Sequence, residues 1–151
     1  MDRNETLEDL PPPRPMALVV DDEALLALEM EDLLTQAGFA TLIACTEAAA
    51  RVAPAEALSV AVVNLRLNGQ LLGHGIIRML RRRQPDLPVV VVTGYDGDAP
   101  QADLRGLGWP MVRLQKPHHG QHLVAAVQEV IALGRHGRRP AGGRRMGDRR
   151  G

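Results

Sequence analysis

Short apolar runs that alternate with stretches of helical periodicity are the feature that most constrains this fold. The runs consist mainly of Val, Leu, Ile and Ala, without the polar/apolar alternation of a half-exposed strand. Such runs are typical of parallel strands that are covered by helices on both faces. We therefore predict an α/β, doubly wound (βα)5 fold with a five-stranded parallel sheet and right-handed crossovers. The predicted strands are about Met16–Val20, Thr41–Ala44, a run ending at Asn64, Val89–Thr93 and Met111–Gln115.

The stretches between these runs predict four helices and a fifth that is short or eroded. The first has a single apolar stripe and ends at Gly38, and the second has Thr46 as its N-cap. The third ends in Arg81-Arg82-Arg83, which suits the negative end of a helix dipole. Residues 95–110 are rich in glycine and proline, which disfavours a firm helix there. The helices are expected at about 25–34, 46–53, 75–83 and 121–133.

The composition excludes several classes of protein. Aromatic residues make up only 2% of the chain, which disfavours a nucleic-acid binder that stacks bases on aromatic rings. No apolar run approaches the roughly 20 residues that a membrane-spanning helix needs. The first ten residues lack the basic and apolar regions of a secretion signal. Cys45 is the only cysteine, which excludes an internal disulfide and fits a cytoplasmic location.

The two ends of the chain differ from its centre in composition. Residues 1–15 are polar and then proline-rich, and we expect a disordered leader. Residues 134–151 hold seven of the 18 basic residues against one acid, and we expect a disordered Arg/Gly-rich tail. That tail is either a solvated extension, an arm for nucleic acid or anionic membrane, or a segment that folds back on the acidic body. The folded domain is expected over residues 16–133.

Polar residues follow the predicted strands at their carboxyl ends. Asp21 and Asp22 come directly after the first strand, and Asn64 ends the third. Thr93 ends the fourth strand, and Lys116, the only lysine of the chain, follows the fifth. Because ligands in such sheets bind beyond the carboxyl ends of the strands, we expect these side chains to form one site. That site would suit phosphoryl transfer if residue 64 were a carboxylate.

This order of features resembles the receiver domain of bacterial two-component response regulators, a flavodoxin-like fold. The resemblance covers about residues 16–133 and rests on Asp21-Asp22, Thr93-Gly94 and Lys116-Pro117 at the family's separations. The stretches 22–29 and 93–117 are similar to small receivers common in alphaproteobacteria.

The resemblance implies roles for the residues at the strand ends. An acid pair, here Asp21 and Asp22, would hold Mg²⁺ together with the main-chain carbonyl of Arg66. A third aspartate accepts a phosphoryl group from a histidine kinase, and Thr93 and Lys116 would contact the phosphoryl oxygens.

The chain departs from the family pattern at two positions of the site. Asn64 occupies the phosphoacceptor position, and an amide lacks the nucleophilic oxygen of a carboxylate. We therefore expect no stable aspartyl phosphate and weakened Mg²⁺ binding, whether the amide is natural or a deliberate substitution. Arg113 stands where receivers often carry a switching Tyr or Phe, so the usual buried-to-exposed transition is not expected.

These observations predict a stand-alone, single-domain response regulator that is not an enzyme and acts by protein–protein contact. Its expected partners are a histidine kinase, a phosphotransfer protein or another regulator, and a homodimer is left open. The alternatives are a phosphorylation-independent scaffold and a nucleic-acid-associated protein that uses the basic tail. A nucleotide-binding enzyme is disfavoured, because no glycine-rich phosphate loop follows the first strand. His118, His119 and His122 are read as the start of a helix rather than as a metal site.

Overall fold

A computed structural model describes residues 13–95, 99–100, 103–116 and 119–136 of the chain. Its centre is a five-stranded sheet in the order β2-β1-β3-β4-β5, and all four strand pairings are parallel. The predicted sheet is therefore confirmed. The strands are β1 (Met16–Val20), β2 (Ala40–Ala44), β3 (Val60–Asn64), β4 (Val89–Thr93) and β5 (Met111–Gln115).

Four α-helices accompany the sheet and agree with the predicted ones in position. Thr46 caps the second helix as predicted, since its hydroxyl accepts a hydrogen bond from the Ala49 amide at 3.0 Å. The last helix begins two residues before its predicted start and ends three residues after its predicted end. The helices are α1 (Ala24–Gln36), α2 (Glu47–Arg51), α3 (Gly73–Arg83) and α4 (His119–His136).

The core has two layers, one on each face of the sheet. Helices α1 and α4 cover one face, where Met30 and Leu34 meet Leu123 and Val127. Helices α2 and α3 cover the other, with Ile77 and other α3 residues packed on the sheet. Every residue of β3 and β4 is buried. This explains their continuous apolar sequences, because both faces of these central strands lie against helices.

The connection from β4 to β5 differs from the other crossovers. Among its described residues, 94–95, 99–100 and 103–110, none lies in an α-helix, as the glycine and proline content predicted. Arg81 of α3 is buried and holds this connection in place. Its guanidinium donates hydrogen bonds to the carbonyl oxygens of Leu107 (2.7 Å), Pro110 (2.5 Å) and Leu87 (2.8 Å). The dipole role predicted for Arg81 was therefore incomplete, because this side chain is a buried tertiary anchor.

The leader predicted at 1–15 and the tail predicted at 134–151 lie mostly outside the described residues. The described part of the tail, 134–136, is the last part of α4. No helix in the described ranges is both long and apolar enough to cross a membrane.

Candidate functional site

The predicted site residues meet at the carboxyl edge of the sheet. Asp21 directly follows β1, Asn64 ends β3, Thr93 ends β4 and Lys116 directly follows β5. Backbone hydrogen bonds continue the ladders to these positions: the Asp21 amide donates to the Ala44 carbonyl at 3.1 Å, and the Lys116 amide donates to the Thr93 carbonyl at 2.8 Å. The sheet therefore holds the backbone at the site in register.

Asp21 lies at the bottom of the site and is fully buried. Its Oδ1 accepts hydrogen bonds from the Glu23 amide at 2.9 Å and from Asn64 Nδ2 at 3.5 Å. Its Oδ2 is buried and has no hydrogen-bond partner within the described part of the chain. Burial raises the pKa of this carboxyl, while the Glu23 amide, Lys116 and Asn64 oppose the rise. The negative charge of the ionised Asp21 carboxylate is therefore only partly offset by its neighbours.

Asp22 connects the acid pair to the loop after β3. Its Oδ2 accepts a hydrogen bond from the Asn68 amide at 2.9 Å. That amide belongs to a tight two-residue turn, in which Asn68 and Gly69 have φ of 50° and 75° and Leu67 and Gln70 pair through reciprocal 2.8 Å hydrogen bonds. Positive φ at both central positions suits an Asn-Gly sequence. The Asn68-Gly69 turn thus positions a donor for the second acid.

Asn64 is 4% exposed, and its main chain is approached closely by the first residue of α3. A Cβ atom on Gly73 would lie 2.6 Å from the Leu65 Cα and 2.8 Å from the Asn64 carbonyl oxygen. The Gly73 amide also donates to the Leu65 carbonyl at 2.9 Å. Only glycine fits this approach without a shift of the backbone, so Gly73 fixes where the helix begins relative to Asn64.

An open cavity of about 460 Å³ lies over these residues. The Thr93 hydroxyl accepts a hydrogen bond from the Tyr95 amide at 3.0 Å, and Lys116 Nζ lies 3.5 Å from Glu23 Oε1. Carboxylates and hydrogen-bond donors therefore line the cavity together. Its walls are Asp22, Glu23, Asn64, Arg66, Gly69, Thr93, Gly94, Tyr95 and Lys116.

Two arginines meet Tyr95 at the mouth of the cavity. Arg66 donates to the Gly69 carbonyl at 2.7 Å and to the Tyr95 hydroxyl, and its guanidinium carbon is 5.7 Å from the centre of the tyrosine ring. Arg113 is exposed on β5 and donates to the Tyr95 carbonyl at 3.3 Å. This part of the site combines the loops after β3 and β4 with the last strand.

Sequence reasoning missed the contributions of Glu23 and Tyr95. Glu23 directly follows the acid pair and Tyr95 lies two residues beyond Thr93, so their nearness to predicted site residues was a usable signal. Their partners, Lys116 and Arg66, are distant in the chain. For that reason the pairs become visible only in the fold.

The oxygen atoms at the site provide some of the ligands that a divalent cation needs. Mg²⁺ prefers carboxylate and carbonyl oxygens, and the partnerless buried Oδ2 of Asp21 is the kind of ligand it takes. Asp22 supplies a second carboxylate. Among the described residues, however, no group of three or more His, Cys, Asp or Glu side chains is arranged to hold a metal ion. The amide at Asn64 leaves the site with less negative charge than a third carboxylate would provide.

The fold and this edge of polar residues define a doubly wound α/β domain with one candidate site, and comparison with known proteins identifies its family. The family model of the response regulator receiver domain matches residues 17–128, and the chain belongs to that family. Receiver domains are signalling domains of two-component systems that generally bind Mg²⁺ for phosphorylation. They interact with histidine kinases and other regulators.

Similar individual proteins come from several bacteria. The chain is 35% identical over 82 residues to the photosynthetic apparatus regulatory protein RegA of Rhodovulum sulfidophilum, a match that covers 54% of this chain and 44% of RegA. A response regulator receiver protein from Sinorhizobium medicae is 27% identical with a TM-score of 0.67, over 80% of this chain and 97% of that one. The non-phosphorylated HemR receiver domain from Leptospira biflexa is 27% identical with a TM-score of 0.68, over 80% of this chain and 96% of that one. The chain thus spans less than half of RegA and nearly all of the two receiver structures.

Proposed function

We propose that this chain is a receiver that signals by protein–protein contact without accepting a phosphoryl group. The observation that carries the proposal is Asn64, whose buried amide ends β3 between the acid pair and Thr93. Its partners would be a histidine kinase, a phosphotransfer protein or another regulator, in the cytoplasm. It has no enzymatic role in this proposal.

The chemistry of the amide supports the absence of phosphorylation. A carboxylate oxygen can attack phosphorus, whereas the amide oxygen of Asn64 is much less basic and carries no charge. Its nitrogen instead donates to Asp21 Oδ1. Thr93 and Lys116 line the cavity, which supports a role for both in contacting phosphoryl oxygens.

Mg²⁺ would be held by Asp21, Asp22 and the main-chain carbonyl of Arg66. When bound, such an ion neutralises negative charge on a transferring phosphoryl group. In this chain its main effect would be to offset the buried charge of Asp21. We expect weak binding, because the amide contributes no charge at the third position.

The test is intact-mass measurement after incubation with Mg²⁺ and acetyl phosphate, on the unchanged chain, Asn64→Asp and Asn68→Asp. We expect a phosphoryl adduct on Asn64→Asp alone. Asn68→Asp is a matched control, because it makes the same chemical change four residues further along the loop. An adduct on the unchanged chain would refute the proposal, since another residue would then be the acceptor.

Thermal unfolding with and without Mg²⁺ adds a second readout. Asn64→Asp should gain more stability from Mg²⁺ than the unchanged chain, because a ligand that binds the folded state more tightly stabilises it more. If Asn64→Asp neither binds Mg²⁺ nor forms an adduct, then the pocket differs from a working receiver beyond residue 64.

A further inference from the structure

The outer surface of α1 is both apolar and acidic. Its exposed positions recur at the spacing of one helix face, and we call this face the α1 stripe: Leu25, Leu28, Glu29, Asp32 and Gln36. Leu25 is 83% exposed and Leu28 is 53% exposed, the two largest exposures among the leucines of the described residues. Helix α1 contains no Lys, Arg or His. The stripe therefore combines uncovered leucines with negative charge.

The acids of the stripe lack cationic partners within the described part of the chain. Glu29 and Asp32 form no ion pair there, and Asp32 only accepts a hydrogen bond from Gln36 at 2.9 Å. Elsewhere, Glu56 is paired with Arg83 and Asp103 with Arg105. An apolar surface with unpaired acids suits a basic segment whose side chains have long apolar stems.

The chain contains such a segment. Residues 137–151 hold six arginines in three adjacent pairs, one acid (Asp148) and one large apolar residue (Met146). Arginine fits the stripe well, because its methylene stem can cover leucine while its guanidinium pairs with a carboxylate.

The last described helix lies on the same side of the molecule as α1. Helix α4 ends at His136 and packs beside α1 on one face of the sheet. Helix α1 is about 20 Å long at 1.5 Å per residue. Residues 137–151 can span on the order of 50 Å when extended, so they can run along the whole stripe.

We propose that residues 137–151 dock on the α1 stripe as an intramolecular arm. Covalent linkage gives the arm an effective concentration on the order of millimolar, so weak contacts suffice to populate the docked state. A partner that approaches α1 must displace the arm. The arm is then a competitor for that surface whose strength depends on ionic strength. This proposal does not depend on whether the chain accepts a phosphoryl group.

The test is paramagnetic relaxation enhancement on the full chain. Cys45 is the only cysteine, so Cys45→Ser combined with Met146→Cys places one nitroxide within the arm. At about 0.01 M salt, where the screening length is about 30 Å, amide signals of residues 25–36 should lose most of their intensity. At about 1 M salt, where it is about 3 Å, these signals should recover.

Two charge-matched variants make the result specific. Glu29→Gln with Asp32→Asn removes both acids of the stripe and should abolish the attenuation. Glu47→Gln with Asp86→Asn removes two acids elsewhere, the half-buried Glu47 on α2 and the exposed Asp86 after α3, and should leave it unchanged.

Three outcomes would overturn the proposal. One is attenuation centred on the acidic residues 1–10 or on α3 instead of α1. Another is attenuation that survives in the Glu29→Gln, Asp32→Asn variant. The third is attenuation that appears only between molecules, in a mixture of isotope-labelled chain without nitroxide and unlabelled chain with it.

Discussion

The carboxyl edge of β1, β3 and β4 and the connection from β4 to β5 reach order by different means. At the edge, hydrogen bonds of the backbone fix each group: strand ladders hold Asp21 and Lys116, and the amide of Asn68 holds Asp22. In the connection, a side chain from outside the segment holds the backbone in place. Arg81 of α3 binds the carbonyl oxygens of Leu107 and Pro110.

The difference shows which changes each region tolerates. At the edge, the backbone rather than the Asn64 side chain positions the site, so we expect Asn64→Asp to leave the scaffold in place. The connection depends on one buried cation. A buried guanidinium is stable only if its donors are paired, and here carbonyl groups pair them.

The largest expected effect comes from Arg81→Met. This change leaves the carbonyls of Leu87 and Leu107 without their donor. The Pro110 carbonyl keeps a second donor, the Val89 amide at 3.2 Å. Each buried unsatisfied acceptor costs roughly 1–3 kcal/mol. We expect unfolding in urea to show a loss of about 3 kcal/mol or more. Hydrogen exchange should rise first in residues 104–109 and stay low in β3.

Arg78→Met is the matched control for Arg81→Met, because Arg78 is exposed on the same helix. An exposed substitution of this kind should change stability by less than about 0.5 kcal/mol. If both variants lose the same amount, then water replaces the guanidinium, and the contrast between the two regions is wrong.

Gly73→Ala tests the edge by the same measurement, the free energy of unfolding in urea. The added Cβ would meet backbone atoms of Leu65 and Asn64 at 2.6 and 2.8 Å, so α3 or the end of β3 must move. We expect a loss of about 1–3 kcal/mol in urea unfolding, typical of overpacking. Gly75→Ala is the control, since nothing lies within 4 Å of its Cβ position and alanine favours a helix by about 0.5–1 kcal/mol. Equal effects at the two glycines would show that the edge yields easily.

The sequence allowed the edge to be predicted better than the connection, for a physical reason. Asp21, Thr93 and Lys116 each follow a buried run, and parallel strands bring their carboxyl ends together whatever the loops do. The strands themselves were predictable because β3 and β4 are buried on both faces. These predictions need only local patterns and one rule of topology.

Arg81 could not be predicted in the same way. It lies in a run of three arginines that are alike in sequence, yet Arg81 is buried, Arg82 is exposed and Arg83 pairs with Glu56. The rotation of α3 about its own axis decides which of the three arginines faces the interior, and packing against the sheet sets that rotation. The pairs of Glu23 with Lys116 and of Arg66 with Tyr95 were missed for a related reason, because both join loops that only the folded sheet brings together.

His119 provides a contrast with Arg81, since it is also a buried base but lacks partners. It is 4% exposed, and neither ring nitrogen has a hydrogen-bond partner among the described residues. Burial lowers the pKa of His119, and the nearby Lys116 lowers it further. Above the unfolded pKa of about 6.5, the ring is neutral in both states and its burial costs no protonation energy. As pH falls below that value, the unfolded state takes up a proton that the folded state resists, and stability is lost.

We expect the free energy of unfolding to fall between pH 7.5 and 5.5, by at most about 1.4 kcal/mol per pH unit for this one group. His119→Gln should flatten that pH dependence. His122→Gln, at an exposed position of the same helix, should leave it unchanged. An unchanged slope in His119→Gln would show that other groups cause the acid sensitivity.

The smallest expected effect concerns Lys116, the cation of the edge. Its Nζ is 3.5 Å from Glu23 Oε1, and the glutamate side chain is 60% exposed. Exposed ion pairs of this kind contribute about 0.2–1 kcal/mol. A double-mutant cycle of Glu23→Gln and Lys116→Met should therefore give a coupling energy within that range, and salt should reduce it.

The size of this coupling decides how far Lys116 differs from Arg81. A weak coupling leaves the ammonium free to exchange Glu23 for an anion in the cavity, as a receiver lysine must do. A coupling above about 2 kcal/mol would exceed that of ordinary exposed pairs. Lys116 would then be a fixed structural cation like Arg81, and it would not be available to an anion in the cavity.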